Sequence, residues 1–104
     1  MENIALTEAV YYVLLSLYQP MHGYGIMLKV ESISDKRVRL AAGTLYGALS
    51  SMLDKGWIKA LPGDKNSRKR EYLITEKGKQ VAETELSRLK ELVRNGDLTI
   101  GGTK

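Results

Sequence analysis

Gly43-Thr44-Leu45-Tyr46-Gly47-Ala48-Leu49-Ser50-Ser51-Met52-Leu53-Asp54-Lys55-Gly56-Trp57-Ile58 is the stretch that decides the fold. Leu45, Leu49, Met52 and Leu53 return at helical spacing, so Ala42 to about Lys55 reads as one amphipathic helix, with Gly56 where helices commonly stop. Trp57 and Ile58 follow at once and start a strand. Upstream, Thr7-Glu8 supplies a capping side chain and an acidic first turn, and Val10, Val13, Leu14, Leu17 and Tyr18 trace an apolar stripe that Pro20 brings to an end. Met21-His22-Gly23-Tyr24-Gly25 reads as a turn opening a second helix. Ile26, Val30 and Ile33 keep one apolar face there until Ser34 and Asp35 stop it, and Val38-Arg39-Leu40 reads as a short extended piece. Downstream, the turn formers Pro62 to Ser67 lead to Glu71-Tyr72-Leu73-Ile74, a second strand. Trp57, Ile58, Leu61, Tyr72 and Ile74 then form a hairpin with one face on the core, and Trp57 is its anchor at the helix-strand junction.

The chain has 104 residues and 43% hydrophobic content, enough for one modest core in a single small domain. It has no cysteine, so disulfide frameworks and thiolate metal sites are excluded and the composition suits a reducing, cytoplasmic setting. Glu2 and Asn3 stand where a signal peptide would be basic. No apolar run approaches the roughly 18 residues that span a bilayer, so no membrane association is expected. The formal charge of +4 favours an anionic partner only mildly.

The distribution of charge says more than its total. Between Asp64 and Lys79 there are six basic residues against three acidic ones, and Arg68-Lys69-Arg70 are consecutive at the edge of the turn-rich segment. Lys65, Arg68, Lys69 and Arg70 would gather near a hairpin tip, where a charge run by itself most often only keeps a loop solvated. The preceding helix changes that balance. Off its apolar stripe lie Thr44, Tyr46, Gly47, Ala48, Ser50 and Ser51, small or hydrogen-bonding side chains that let a helix approach base edges closely. Thr44 can bond a phosphate or a base, and the backbone N–H groups of a helix start attract anions. Tyr46 has a competing role as a half-buried packing residue. The element order, α-α-short β-α-β-wing-β-α, is mostly helical with a small β-hairpin. It is the outline of a winged helix-turn-helix, which sets one helix in the DNA major groove with a hairpin beside it.

Thr75-Glu76-Lys77-Gly78 reads as the start of a fourth helix, although it lacks the full capping box. Ala82, Leu86, Leu89 and Val93 follow at spacings of four, three and four, with Leu92 alongside. Such a narrow apolar seam suits pairing with a partner chain, and a two-fold dimer would present two third helices to consecutive turns of a duplex. Beyond Asn95 there is no periodic pattern, and a frayed tail is expected. The expected organisation is residues 1–75 as the winged helix-turn-helix, 76–95 as a dimerisation helix and 96–104 as a flexible tail.

Taken together, His22-Gly23-Tyr24-Gly25, Gly43-Thr44-Leu45-Tyr46, Lys55-Gly56-Trp57-Ile58 and Arg70-Glu71-Tyr72-Leu73-Ile74-Thr75-Glu76-Lys77-Gly78, in this order and at these separations, resemble the PadR-like transcriptional regulators. The likeness runs from about residue 4 to 95, to the short members with one C-terminal dimerisation helix. It implies a homodimeric repressor that binds an inverted repeat in double-stranded DNA and is released by a small-molecule effector. Thr44, Tyr46 and Gly47 then fall on the recognition helix, although many members carry proline at the Gly47 position, and Lys65, Arg68, Lys69 and Arg70 fall on the wing. Ala82, Leu86, Leu89 and Val93 fall on the dimer seam. An effector pocket between first and last helices would draw any aromatic stacking from Tyr11 and Tyr12, since residues 76–104 contain no aromatic; a filled apolar dimer core is the competing reading.

No catalytic constellation is legible. His22 has no second histidine or cysteine to join in a metal or nucleophile site, and capping or packing suits it better. There is no phosphate-binding glycine loop of the P-loop kind, and Gly23-x-Gly25 without a preceding strand is no dinucleotide fingerprint. No cofactor, metal or enzymatic activity is expected. The competing function is a winged-helix module that binds protein or small molecules without operator recognition.

Overall fold

The structure, a computed structural model, describes residues 5–62 and 70–101. Four helices and three strands follow in the order α1 (Glu8–Ser16), β1 (Met21–His22), α2 (Gly23–Ile33), α3 (Ala42–Asp54), β2 (Ile58–Ala60), β3 (Glu71–Ile74) and α4 (Glu76–Gly96). A π-helical turn, Asp97–Gly101, extends the last helix. This is a mostly helical winged helix-turn-helix with a small antiparallel sheet.

Local chemistry accounts for most boundaries. Thr7 caps α1, its hydroxyl accepting the Val10 N–H at 3.1 Å. His22 caps α2, its Nδ1 accepting the Gly25 N–H at 3.2 Å. α3 ends in a Schellman arrangement: Gly56 adopts φ +75°, its N–H reaches the Leu53 carbonyl at 3.1 Å, and the Trp57 N–H reaches Met52 at 2.9 Å. These bonds satisfy the last carbonyls of the helix and turn the chain directly into β2. Between α2 and α3, Asp35 and Lys36 both take positive φ, and the Ser34 hydroxyl accepts the Val38 N–H at 3.0 Å, tying that turn together.

The sheet order is β1-β3-β2, with both pairings antiparallel. Ile58 faces Ile74 and Ala60 faces Tyr72 on one side of β3, while Met21 faces Tyr72 and His22 faces Glu71 on the other. The short strand therefore precedes α2 and does not lie at Val38–Leu40, as the sequence reading had it. Val38–Leu40 is extended toward α3 but joins no strand, because Ser34 holds it against the end of α2.

One core unites the elements. Val13, Leu14 and Leu17 from the first helix and its end meet Ile26 and Val30 of α2, Leu45, Leu49 and Met52 of α3, and Ile58 and Ile74 of the sheet. Trp57 and Tyr72 pack against this cluster. Tyr18, Ile33 and Leu53, expected on the buried stripes, are largely exposed. Each sits in the last turn of a helix or just past it.

α4 is seated by a glycine. The Thr75 hydroxyl donates to the Gly56 carbonyl at 2.6 Å and accepts the Gly78 N–H at 3.1 Å, so one side chain joins the exit of α3 to the start of α4. A methyl group on Gly78 would lie 2.0 Å from the Trp57 carbonyl oxygen and 2.7 Å from Ile74 Cγ1. Only a bare Cα permits that approach. Beyond it, Ala82 and Glu85 are buried and α4 lies along α1. The helical path continues to Gly101, where the sequence reading places a tail without pattern from Asn95. Gly96 keeps helical geometry and no proline follows, so nothing local ends the helix there. The result is elongated, 62 × 33 × 21 Å.

Candidate nucleic-acid interface

Packing Leu45, Leu49 and Met52 into the core leaves the opposite side of α3 facing outward. Gly43, Thr44, Tyr46, Gly47, Ser50 and Ser51 are exposed there. Methyl groups built on Gly43 and Gly47 would meet nothing within 4 Å, so the backbone at this face is open to a partner. Ala41 at the N-cap supplies no side-chain hydrogen bond, and the first turn of α3 carries no acidic residue. The helix thus starts with uncapped N–H donors and a positive dipole end, beside the Thr44 hydroxyl. Arg39, two residues before the cap, is exposed. The sequence reading passed over this cation; its signal was the single charge between Val38 and Leu40.

Tyr46 is placed differently from Thr44 and Gly47. It is 51% exposed, and the far end of its ring rests on Gly23 at the start of α2. A methyl group on Gly23 would lie 2.3 Å from the Tyr46 hydroxyl oxygen and 2.8 Å from Cζ. Of the wing cations, Arg70 is exposed immediately before β3, while Lys65, Arg68 and Lys69 lie outside the described residues.

The seam residues of α4 separate into two groups. Ala82 is 3% exposed and buried within its own chain, whereas Leu86 is 42% and Val93 63% exposed. An open groove of about 460 Å³ runs along Leu86, Leu89, Lys90, Val93, Arg94, Asp97 and Leu98. Leu98 lies beyond the seam that the sequence reading drew, because the helical path continues into the terminal turn.

Tyr11 and Tyr12 meet different neighbours within one chain. They are successive residues of α1 and point about 100° apart. Tyr11 faces Glu85 of α4, and burial followed by that carboxylate pushes its hydroxyl above the usual tyrosine range. Tyr12 packs against the core, and its hydroxyl meets Arg37, which is also paired with Glu8. Glu85 is only 4% exposed. It accepts hydrogen bonds from Arg88 Nε at 2.8 Å and Nη2 at 2.6 Å, and a third from the Leu6 N–H. The Arg88 bonds outweigh burial and hold its carboxyl below the ordinary glutamate range. Sequence reasoning missed this group although Glu85 lies three residues after Ala82 and four before Leu89, on the buried line of α4, because a glutamate among other charges reads as exposed. Among the described residues no cluster of His, Asp and Glu could hold a metal ion, and no helix is long and apolar enough to cross a membrane.

The family model described as "Transcriptional regulator PadR-like family" matches residues 12–84, from α1 into α4. The chain belongs to the PadR-like family. Solved structures share its fold. A PadR family transcription regulator from Clostridium difficile aligns at TM-score 0.74 and 20% identity, covering 90% of this chain and 99% of that one. A transcriptional regulator from Clostridium thermocellum aligns at TM-score 0.68 and 21% identity, with 93% of each chain covered. Bacillus subtilis PadR, solved in complex with operator DNA, aligns at TM-score 0.63 and 22% identity over 74% of this chain and 45% of that one. Among curated proteins, an uncharacterized 37.1 kDa protein in transposon TN4556 of Streptomyces fradiae is 35% identical over 66 residues, which are 64% of this chain. The match spans 18% of that protein's length. The PadR-like family and its solved relatives are transcriptional regulators, and this chain presents the same architecture.

Proposed function

We propose that this protein is a sequence-specific DNA-binding transcriptional repressor that acts as a homodimer on an inverted repeat in a promoter. The observation that carries the reading is the outward face of α3. It is open at Gly43 and Gly47, carries the Thr44 hydroxyl, and begins with an uncapped helix start. Small side chains over an accessible backbone suit the major groove, and Arg39 and Arg70 are exposed cations for phosphates on either side in sequence. The operator complex of Bacillus subtilis PadR, a relative in fold, supports extending DNA binding to this chain. A two-fold pair joined through the distal part of α4 would offer two such faces to half-sites about 34 Å apart. A repressor then acts by occupying the promoter. Release by a small molecule, which the resemblance also implies, needs a pocket formed where two copies meet, because Tyr11 and Tyr12 face different neighbours within one chain.

The test is duplex binding measured as a function of salt, beginning with protection mapping on DNA upstream of the protein's own gene. Affinity is expected to fall steeply with ionic strength, and Arg70→Ala to lower the logarithmic salt slope by about one. Thr44→Ala is expected to alter preference between sites, by about 1–3 kcal/mol at the base it contacts. Absence of salt-dependent duplex binding would leave the alternative, a winged-helix module for protein or small-molecule partners.

A further inference from the structure

Residues 34–41 carry the chain from α2 to α3, so their conformation sets the direction in which α3 starts. α2 ends in a Schellman arrangement, the Asp35 N–H reaching the Ser32 carbonyl at 3.2 Å and the Lys36 N–H reaching Glu31 at 2.7 Å. Glycine usually closes such an end. Here Asp35 takes φ +53° and Lys36 follows at φ +64°, two successive residues with a Cβ in the left-handed region. That backbone is unfavourable in itself and persists where its surroundings over-determine it.

Two kinds of tie hold this turn. The first is local: the Arg37 N–H bonds the Ser34 carbonyl at 3.0 Å and the Val38 N–H bonds the Ser34 hydroxyl at 3.0 Å, contacts that travel with the end of α2. The second comes from α1. Arg37 donates from Nη1 to Glu8 Oε1 at 3.1 Å and from Nη2 to Glu8 Oε2, a two-point pairing across twenty-nine positions of sequence, and the Tyr12 hydroxyl meets the same guanidinium. Glu8 opens α1 and Tyr12 lies one turn further on, so both stand on one side of that helix. Hydrogen bonding from Arg37 holds the Glu8 carboxyl below the usual glutamate range. A lone surface ion pair contributes little to stability, but a planar two-point pairing fixes distance and direction. Beyond it, Val38 and Leu40 pack on the core, while Arg39 between them is exposed.

We propose that Arg37 is a positioning residue: held by Glu8 and Tyr12 of α1, it fixes the strained turn that delivers α3, and so sets the pose of the recognition helix against a duplex. The proposal rests on the DNA-binding reading given above. Two cations of one segment then have different work, Arg39 meeting phosphate and Arg37, its charge matched by a carboxylate, orienting the helix that follows.

The experiment uses the full chain, a duplex that the wild-type protein selects from a randomised pool, and a scrambled duplex of the same composition. Affinity for both, and thermal melting, are measured for Glu8→Gln, Arg37→Gln, the double variant Glu8→Gln/Arg37→Gln and the exchange Glu8→Arg/Arg37→Glu. Positioning and plain charge part on sign, because Glu8→Gln removes an anion and Arg37→Gln removes a cation. Each single variant is expected to lower the ratio of selected to scrambled affinity roughly tenfold, a few-fold effect counted once in each subunit of a pair, and the double variant to be no worse than either. The exchange restores the pairing and is expected to bring the ratio back to within about threefold of wild type. Glu8→Gln binding both duplexes more tightly while Arg37→Gln binds both more weakly would show Arg37 to be a phosphate contact and overturn the proposal. So would losses that multiply in the double variant. An unchanged affinity ratio in the single variants, with or without lower melting temperatures, would reduce the pairing to a merely structural one and also overturn it. If the exchange does not fold, the single and double variants decide by the same criteria. A wild-type protein that selects no duplex overturns the DNA-binding reading itself, an outcome distinct from failure of the turn alone.

Discussion

α3 and the distal part of α4 are both helices with one side left uncovered, and they differ in what that side is made of. On α3 it consists of glycine, threonine and serine around the Tyr46 ring. Covering it with an apolar surface would gain little, because few carbon atoms leave water there. On α4 it consists of Leu86, Leu92, Val93 and, in the terminal turn, Leu98. Leaving that stripe wet is unfavourable, and a second apolar face is its natural cover. The opposite sides of these helices build the same fold, yet the outward compositions differ in the direction the proposed function requires, polar and small on α3 and apolar on distal α4.

The strongest way to break this comparison is to charge the apolar side of α4. Leu86→Glu/Val93→Glu is expected to give a folded monomer in sedimentation and to weaken operator binding about 10²–10⁴-fold, the loss that follows when two linked sites become independent. A double variant that still sediments as a dimer would move the pairing surface elsewhere. The glycines sharpen the same contrast from the side of the fold. Gly78→Ala is expected to destabilise the chain by about 2–4 kcal/mol, since its methyl group would strike the Trp57 carbonyl at 2.0 Å. Gly47→Ala, with open space around it, is expected instead to stabilise by about 0.5–1 kcal/mol through helix propensity. Urea titration compares the two, and equal effects would show that the outward side of α3 is as constrained as the inward side of α4.

A destabilisation smaller than that of Gly78→Ala is expected at Glu85, where α4 changes from buried to exposed. Its folded carboxyl is held below the unfolded value by Arg88, so its contribution is present in full above about pH 4.3 and is lost as pH falls through the lower folded value. Glu85→Gln is expected to destabilise by about 1–2 kcal/mol at neutral pH. The gap between variant and wild type in thermal melting should narrow as the medium is made more acidic than about pH 4. A gap that stays constant down to pH 3 would rule out the charged pairing as its source.

Much of this was legible in the chain because it rests on local chemistry. The stripes of α1, α2 and α3, the capping role of His22 and the place of Gly56 depend on residues within a turn or two of one another, and they hold in the structure except for Tyr18, Ile33 and Leu53 at the helix ends. What escaped depends on contacts distant in sequence. Two residues are too few to show alternation, so β1 at Met21–His22 was hidden until β3 lay beside it. Gly78 looked like a defect in a capping box; in fact its missing side chain is what lets α4 meet Trp57. Ala82 fitted the seam by spacing, but spacing does not tell an intrachain neighbour from a partner. Of the candidate site, Thr44, Gly47 and Arg70 are exposed as expected, whereas the second use of Tyr46 depends on Gly23, twenty-three positions away.

α4 meets the domain through a tight seat at one end and continues for 21 residues, a rod of about 30 Å. A rod held at its base is a lever: rotating it by about five degrees swings its tip by roughly 2.6 Å at that length. The fit of Gly78 under the Trp57 carbonyl thus determines where the far end points. In a paired assembly, a small loosening there would change the distance between two reading heads by an amount comparable with the rise of a base step, without altering any residue that touches DNA.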